Sequence, residues 1–198
     1  MSLSCASAGD CATGGAYRDG AGHVQGFVAV ERNGRWGRAI EVPGLGALSP
    51  GGSSEVRSVS CGSAGSCAAG GWYADRSGFG QDGFVADERR GVWGKAIEVP
   101  GLGALNTGGS AYTGSVSCGS AGTCAAGGYY SDRHDNLHGF VAAERHGVWV
   151  RAIQVPGLRT LNKANAAVNS VSCPPAGRCA AGGYYAIRLG HQQGFVTR

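Results

Sequence analysis

One phrase recurs four times along this chain, and a chain that repeats a unit of this length buries itself by packing each copy on its neighbours. The segments that begin at Ser2, Ser58, Ser115 and Ser170 read S-L-S-C-A-S-A-G-D-C-A-T-G-G-A-Y, S-V-S-C-G-S-A-G-S-C-A-A-G-G-W-Y, S-V-S-C-G-S-A-G-T-C-A-A-G-G-Y-Y and S-V-S-C-P-P-A-G-R-C-A-A-G-G-Y-Y. Their first cysteines stand at 5, 61, 118 and 173, steps of 56, 57 and 55 residues. After a variable stretch every copy returns to Gly-Phe-Val, at Gly26, Gly83, Gly139 and Gly194. Three copies continue through Glu-Arg-x-Gly-x-Trp to Ala-Ile-(Glu/Gln)-Val-Pro-Gly-Leu. The chain therefore reads as a single repeat domain, 1–198, with repeats 2–57, 58–114, 115–169 and 170–198, the last lacking its final run.

Each copy divides into four short β-prone runs, which in the second copy are a (57–61), b (67–73), c (83–88) and d (92–99). Asn33-Gly34, Arg90-Gly91 and His146-Gly147 separate c from d and predict tight hairpin turns, because glycine and asparagine tolerate positive φ. Run d alternates, with Trp93, Lys95, Ile97 and Val99 on one face, until Pro100 ends it. No segment keeps a 3.6-residue apolar period, and 38 glycines beside a single methionine disfavour helix, so essentially no helix is expected. A four-stranded meander at this spacing predicts an all-β fold, a small β-propeller of four blades. A β-trefoil is the other closed all-β repeat, but it has three units rather than four.

These units resemble a cysteine-containing tandem-repeat family of actinobacteria, often secreted, built from S-V-S-C-x-S-A-G-x-C-A-A-G-G-x-Y and F-V-x-x-E-x-N-G-x-W-G-x-A-I-E-V-P-G. The likeness runs from Leu3 to Val196. It implies a propeller-like array and brings no assigned activity or site residue.

Eight cysteines in four equivalent Cys-x5-Cys pairs, none left over, predict disulfides Cys5–Cys11, Cys61–Cys67, Cys118–Cys124 and Cys173–Cys179. Five intervening residues with Ala-Gly at a fixed offset form a turn between runs a and b, which sets the two sulfurs across from each other. Zinc would want closer cysteine spacing and two further ligands, and no histidine repeats at a fixed offset from these pairs. Neither metal nor cofactor is called for. Disulfides imply an oxidising compartment, so a secreted or extracellular protein whose signal peptide is absent from this sequence is expected in preference to a cytoplasmic one.

Net charge +4, with acids interleaved and no run of lysine or arginine, argues against nucleic acid as partner. No apolar stretch approaches the roughly 20 residues of a membrane helix. The copies differ mainly in their b–c loops, which hold four of the five histidines and should line one common surface. Candidate ligand contacts there are Tyr17, Arg18, Asp19 and His23 in the first loop, and Tyr73, Asp75, Arg76 and Asp82 in the second. The third and fourth supply Tyr130, Asp132, Arg133 and His138, then Tyr185, Arg188 and His191.

Aromatic rings beside bidentate polar groups suit a glycan or another small polar ligand, so a lectin-like module with several similar shallow sites is the first expectation. The alternatives are an enzyme with one axial pocket using His23, Asp82, His138 and His191, and a purely structural array segment. Glu31, Glu88 and Glu144 sit at one repeated position, each followed by arginine, which fits a structural ion pair better than an acid and base pair. The unpaired edge of the last repeat, from Gly194 to Thr197, is a candidate surface for a homodimer.

Overall fold

The computed structural model describes residues 1–50, 52–75, 80–175, 178–188 and 190–198. Each repeat is one antiparallel sheet, and from the second onward its inner strand starts four residues before the boundaries at 58, 115 and 170 read from the sequence, so the structural repeats are counted by sheet. In the first, β1 (Ser2–Ser7), β2 (Asp10–Arg18) and β3 (Val24–Arg32) form a meander, and two stubs, β4 (Arg35–Trp36) and β5 (Ile40–Glu41), both pair with β3 before helix α1 (Leu45–Leu48). The second repeats this with β6 (Ser54–Ser63), β7 (Ser66–Ala74), β8 (Gln81–Arg89), β9 (Val92–Trp93), β10 (Ile97–Glu98) and α2 (Leu102–Leu105). The third has β11 (Ala111–Ser120), β12 (Thr123–Ser131), β13 (Leu137–Arg145), β14 (Val148–Trp149), β15 (Ile153–Gln154) and α3 (Leu158–Leu161). The fourth comprises β16 (Ala166–Ser172), β17 (Ala180–Arg188) and β18 (His191–Thr197).

Local chemistry explains these boundaries. At the c–d turns both central residues take positive φ, as in Arg90 (51°) with Gly91 (78°) and His146 (51°) with Gly147 (78°), the geometry that matches the twist of a two-residue hairpin. The four disulfides form as expected, Cys5 facing Cys11 in register and the Cα atoms of all four pairs 3.9–4.1 Å apart. Among the described residues, three one-turn helices depart from the helix-free expectation. Each follows Pro-Gly, and four residues are too few to show a helical period.

The sheets stack in sequence order, each inner strand lying across the sheet before it: β6 over β1, β2 and β3, β11 over β6, β7 and β8, and β16 over β11, β12 and β13. Three cores result, one per interface: Val28, Val56, Val59, Tyr73 and Phe84 in the first, Val85, Val116, Tyr130 and Phe140 in the second, and Val155, Leu158, Val168 and Val171 in the third. The Gly-Gly pair of each run b makes the close approach possible. A Cβ on Gly70 would stand 2.6 Å from Thr113 Cγ2 and 2.7 Å from Val116 Cγ2 of the next repeat, so the missing side chain is a recess that the neighbour fills. The second glycine, Gly71, lies under the Glu55 carbonyl, where the bulge between Val56 and Ser58 presses its own inner strand inward.

The Ser-x-Ser-Cys phrase has a structural meaning across repeats. Val59 and Cys61 N–H donate to the hydroxyls of Ser2 and Ser4 at 3.0 Å, Val116 and Cys118 to Ser58 and Ser60 at 2.9 Å, and Val171 and Cys173 to Ser115 and Ser117 at 3.0 Å. Inner strands that belong to separate sheets are thus joined in parallel by serine rungs, which satisfy N–H groups that would otherwise be orphaned. Because the sense is parallel, every b–c hairpin emerges along the same edge of the stack.

Run d departs from the single alternating strand expected. It touches β8 or β13 at both ends but leaves the sheet between, where Ala96 N–H donates to Pro43 O and Ala152 N–H to Pro100 O of the preceding repeat, both at 2.7 Å. Nor does the described chain close a ring: among the described residues the fourth sheet has no interface with the first comparable to those between neighbours.

Candidate functional site

The b–c hairpins are braced by their own polar side chains. Asp19 accepts from the Ala21 and His23 N–H groups at 2.9 Å and from Gln25 Nε2 at 3.0 Å, and these bonds, Gln25 first, hold its carboxyl below the ordinary range. In the third repeat Asp132 accepts from His138 Nε2 at 3.0 Å and from the N–H groups of His134 (2.8 Å) and Asn136 (3.1 Å). Its pKa is lowered, chiefly by the His138 bond. The other His138 nitrogen meets Gln154 Nε2 at 3.2 Å, and the ring stacks on Tyr130 with centroids 5.3 Å apart. Asp82 accepts from Asn106 Nδ2 at 2.7 Å, while Asn162 Nδ2 donates to Leu137 O at 3.0 Å, so the residue after each of these helices clamps the hairpin beside it.

The structure thus brings the candidates together within loops and not between them. Asp19 joins His23, whose Nδ1 is 3.6 Å away, and Asp132 joins His138 and Tyr130. The four copy-specific groups His23, Asp82, His138 and His191 stand on four separate hairpins. Tyr73 and Tyr130 are buried in the cores, and desolvation raises both phenols. Their rings therefore belong to sheet packing and not to the loop surface. Tyr17 is exposed, edge-on to Phe27 at 6.4 Å, and Tyr185 packs partly against the third core. Arg18 is exposed and donates to Gly22 O at 2.9 Å, Asp75 accepts from Gly80 N–H at 3.4 Å, and Arg133, Arg188 and His191 point to solvent. Arg76 lies outside the described residues.

A second feature runs across the repeats. Strand alternation turns Tyr73 inward and its neighbour Trp72 to the opposite face, and the same holds for Tyr130 and Tyr129. Trp72 Nε1 donates to Glu55 Oε2 at 3.2 Å, and Arg57 Nε sits 3.4 Å from the same oxygen. In the next repeat Tyr112 stands opposite Tyr129, ring centroids 4.6 Å apart and edge to face. Burial raises the Tyr112 phenol, Tyr129 and Tyr184 push it the same way, and Arg57 opposes them. Trp72, Tyr112, Tyr129 and Tyr184 are all partly exposed, so three successive repeats present one aromatic row with a carboxylate and a guanidinium at its head. Glu55 and Tyr112 escape sequence comparison because they precede the repeated phrase at positions where the copies differ. The signal that would find them is extension of run a past the bulge.

The repeated Glu-Arg dipeptide makes ion pairs between repeats. Arg32 Nη2 reaches Glu88 at 3.0 Å and donates to Gly91 O, and Arg89 Nη2 reaches Glu144 at 3.4 Å and donates to Gly147 O. Both carboxylates are buried, and desolvation raises them despite the arginines, Glu144 to about 7 with Asp87 close by. These acids lock neighbouring sheets through their arginine partners. A cleft of about 610 Å³ opens between the third and fourth sheets, lined by Val150, Ile153, Pro156 and Arg178 among others. In the two preceding interfaces the equivalent space is occupied by Trp93 with Ala96 and by Trp149 with Ala152. No protein-family model matches this chain and no curated protein sequence does either.

Proposed function

We propose that this chain is a non-catalytic, lectin-like binding module, secreted and disulfide-stapled, whose sheets are blade-like units that carry one continuous ligand surface. The surface is the row Trp72, Tyr112, Tyr129 and Tyr184, with Glu55 and Arg57 at one end and the exposed loop groups Arg18, Arg133, Arg188 and His191 along the hairpin edge beside it. The ligand class is a glycan or a similar polyol: ring faces take the C–H faces of a sugar, and a paired guanidinium and carboxylate take its hydroxyls. The observation that carries this reading is the partial exposure of four aromatic rings set along three repeats. The four disulfides favour an oxidising setting and support the secreted assignment.

The spread of the row over three repeats supports binding over catalysis, because successive contacts on one extended ligand reinforce each other, whereas an active site needs one compact constellation. The test is a glycan array followed by titration calorimetry of the best ligand. Tyr129→Ala is expected to weaken binding at least tenfold, and Arg133→Ala, at the margin, by less. A protein that retains no glycan, or binds equally well without the Tyr129 ring, refutes the proposal.

A further inference from the structure

The three internal interfaces share the same glycine recess and serine rungs, and the two ends of the stack carry the unmatched halves of a fourth. On the front of the second and third repeats Val59 and Val116 are each 5% exposed, and Trp93 and Trp149 are 7% and 6% exposed, all covered by the preceding sheet. The first repeat presents the same positions to solvent: Leu3 is 61% exposed, Trp36 49%, and Ala39 is exposed beside them. On the back of the first three repeats the recesses at Gly14, Gly70 and Gly127 are filled by Val56 with Val59, Thr113 with Val116, and Val168 with Val171. The equivalent recess at Gly182 is empty, since a Cβ there would meet nothing nearer than Phe195 O at 3.5 Å. Ser170 and Ser172, which match the rung serines Ser58 and Ser60, are exposed.

We propose that this chain associates head to tail with a second copy of itself, the front of the first repeat seating on the back of the partner's fourth. Leu3 fills the Gly182 recess, as Val59 fills that at Gly14. The Leu3 and Cys5 N–H groups, which correspond to those of Val59 and Cys61, donate to the hydroxyls of Ser170 and Ser172. Arg198 occupies the place that Asp87 takes beside Glu144, and there it meets Glu31, the acid equivalent to Glu144. Charge complementarity thus joins shape and hydrogen-bond complementarity at one face. The occupant is another copy because the filled recess and the pair of serine rungs are each seen three times inside this chain, in the same register. Such a contact is heterologous, so it extends the stack instead of closing a two-fold dimer, and it uses the sheet face and inner strand, not the Gly194–Thr197 edge.

Light scattering coupled to size exclusion, over a range of concentrations under oxidising conditions, reads the result directly. The chain is expected to exceed monomer mass and to grow with concentration. Leu3→Asp, at a solvent-exposed position, and Gly182→Val, where the added carbons meet open space, each bring the mass down to monomer while circular dichroism stays unchanged. An equimolar mixture of the two variants is expected to run at twice the monomer mass and no higher, because one supplies only an intact back and the other only an intact front. A wild-type chain that is monomeric at every concentration, or association that survives Leu3→Asp, or a mixture that stays monomeric, overturns the proposal.

Discussion

Adding one methyl group at Gly70 or Gly127 tests whether the sheets are stacked as described. A Cβ at Gly70 would lie 2.6 Å from Thr113 Cγ2 and 2.7 Å from Val116 Cγ2, and one at Gly127 would lie 2.5 Å from Val168 Cγ1. Carbon atoms sit comfortably at about 3.5–4.0 Å, so the next repeat must retreat by roughly 1 Å. It cannot do so by rotation alone, because the residues it presents are β-branched with few rotamers, and its strand is pinned by serine rungs at Val116 and Cys118. Overpacking of this kind costs about 1–3 kcal/mol. Replacing glycine removes about 0.4–1 kcal/mol of unfolded-state entropy, which offsets part of it. Gly70→Ala and Gly127→Ala are therefore expected to lose roughly 1–2 kcal/mol, a fall in Tm of about 2–8 °C for a chain of this size. Gly182→Ala has the same local sequence and no neighbour to displace. It is expected to gain up to about 1 kcal/mol when measured by scanning calorimetry at high dilution. If all three variants melt together, the recesses are not filled and the stacking is wrong.

The serine rungs predict a similar contrast. Ser60→Ala leaves the Cys118 N–H without its acceptor and is expected to cost about 1–3 kcal/mol in urea unfolding, whereas Ser172→Ala, at an exposed hydroxyl, is expected to cost nothing measurable in the dilute monomer. For Glu144, burial lifts the folded pKa to about 7 from 4.5, so the folded protein holds the proton more tightly than the unfolded chain. Its contribution to stability is complete below about pH 4.5 and is lost as the pH rises towards 7, by up to roughly 3 kcal/mol at about 1.4 kcal/mol per pH unit. Thermal melts of Glu144→Gln from pH 4 to 8 should show that part of the slope removed, and a wild-type profile rising over this interval contradicts the assignment.

What the sequence made legible was whatever is decided within one repeat. The a–b and c–d hairpins rest on turn residues and the disulfides on hairpin register, and both can be read from a dozen consecutive letters. Features set between repeats were not legible in the same way. The alternation of Trp93, Lys95, Ile97 and Val99 reads as one strand, yet the middle of that run bonds to Pro43 of the preceding copy, a partner that no local pattern announces. Tyr73 and Trp72 look equivalent as neighbouring aromatic residues. Only pairing with β8, which places Phe84 and Tyr73 in the same core, shows which ring is interior. The ring expected from blade-like repeats depends on the small rotation between sheets, and side-chain identity does not encode that angle in any way a single sequence reveals.

A stack in which each unit touches only its neighbours has no single core to hold its ends. The interior sheets here are covered on both faces, whereas the first and fourth are covered on one, and β18 is largely exposed. An end unit in such an array can open without disturbing the rest, so its stability must come from within the unit. The Cys-x5-Cys staple does this: it closes the a–b hairpin of every repeat independently of stacking and contributes about 2 kcal/mol on the chain-entropy account. That local role explains why the staple is copied four times, including in Cys173–Cys179, where the described residues 173–175 and 178–179 are not strand. The aromatic row proposed as a ligand surface lies over repeats two to four. A recognition surface that spans several sheets needs those sheets held in register, and the serine rungs and Arg–Glu pairs supply that register without occupying the hairpin edge.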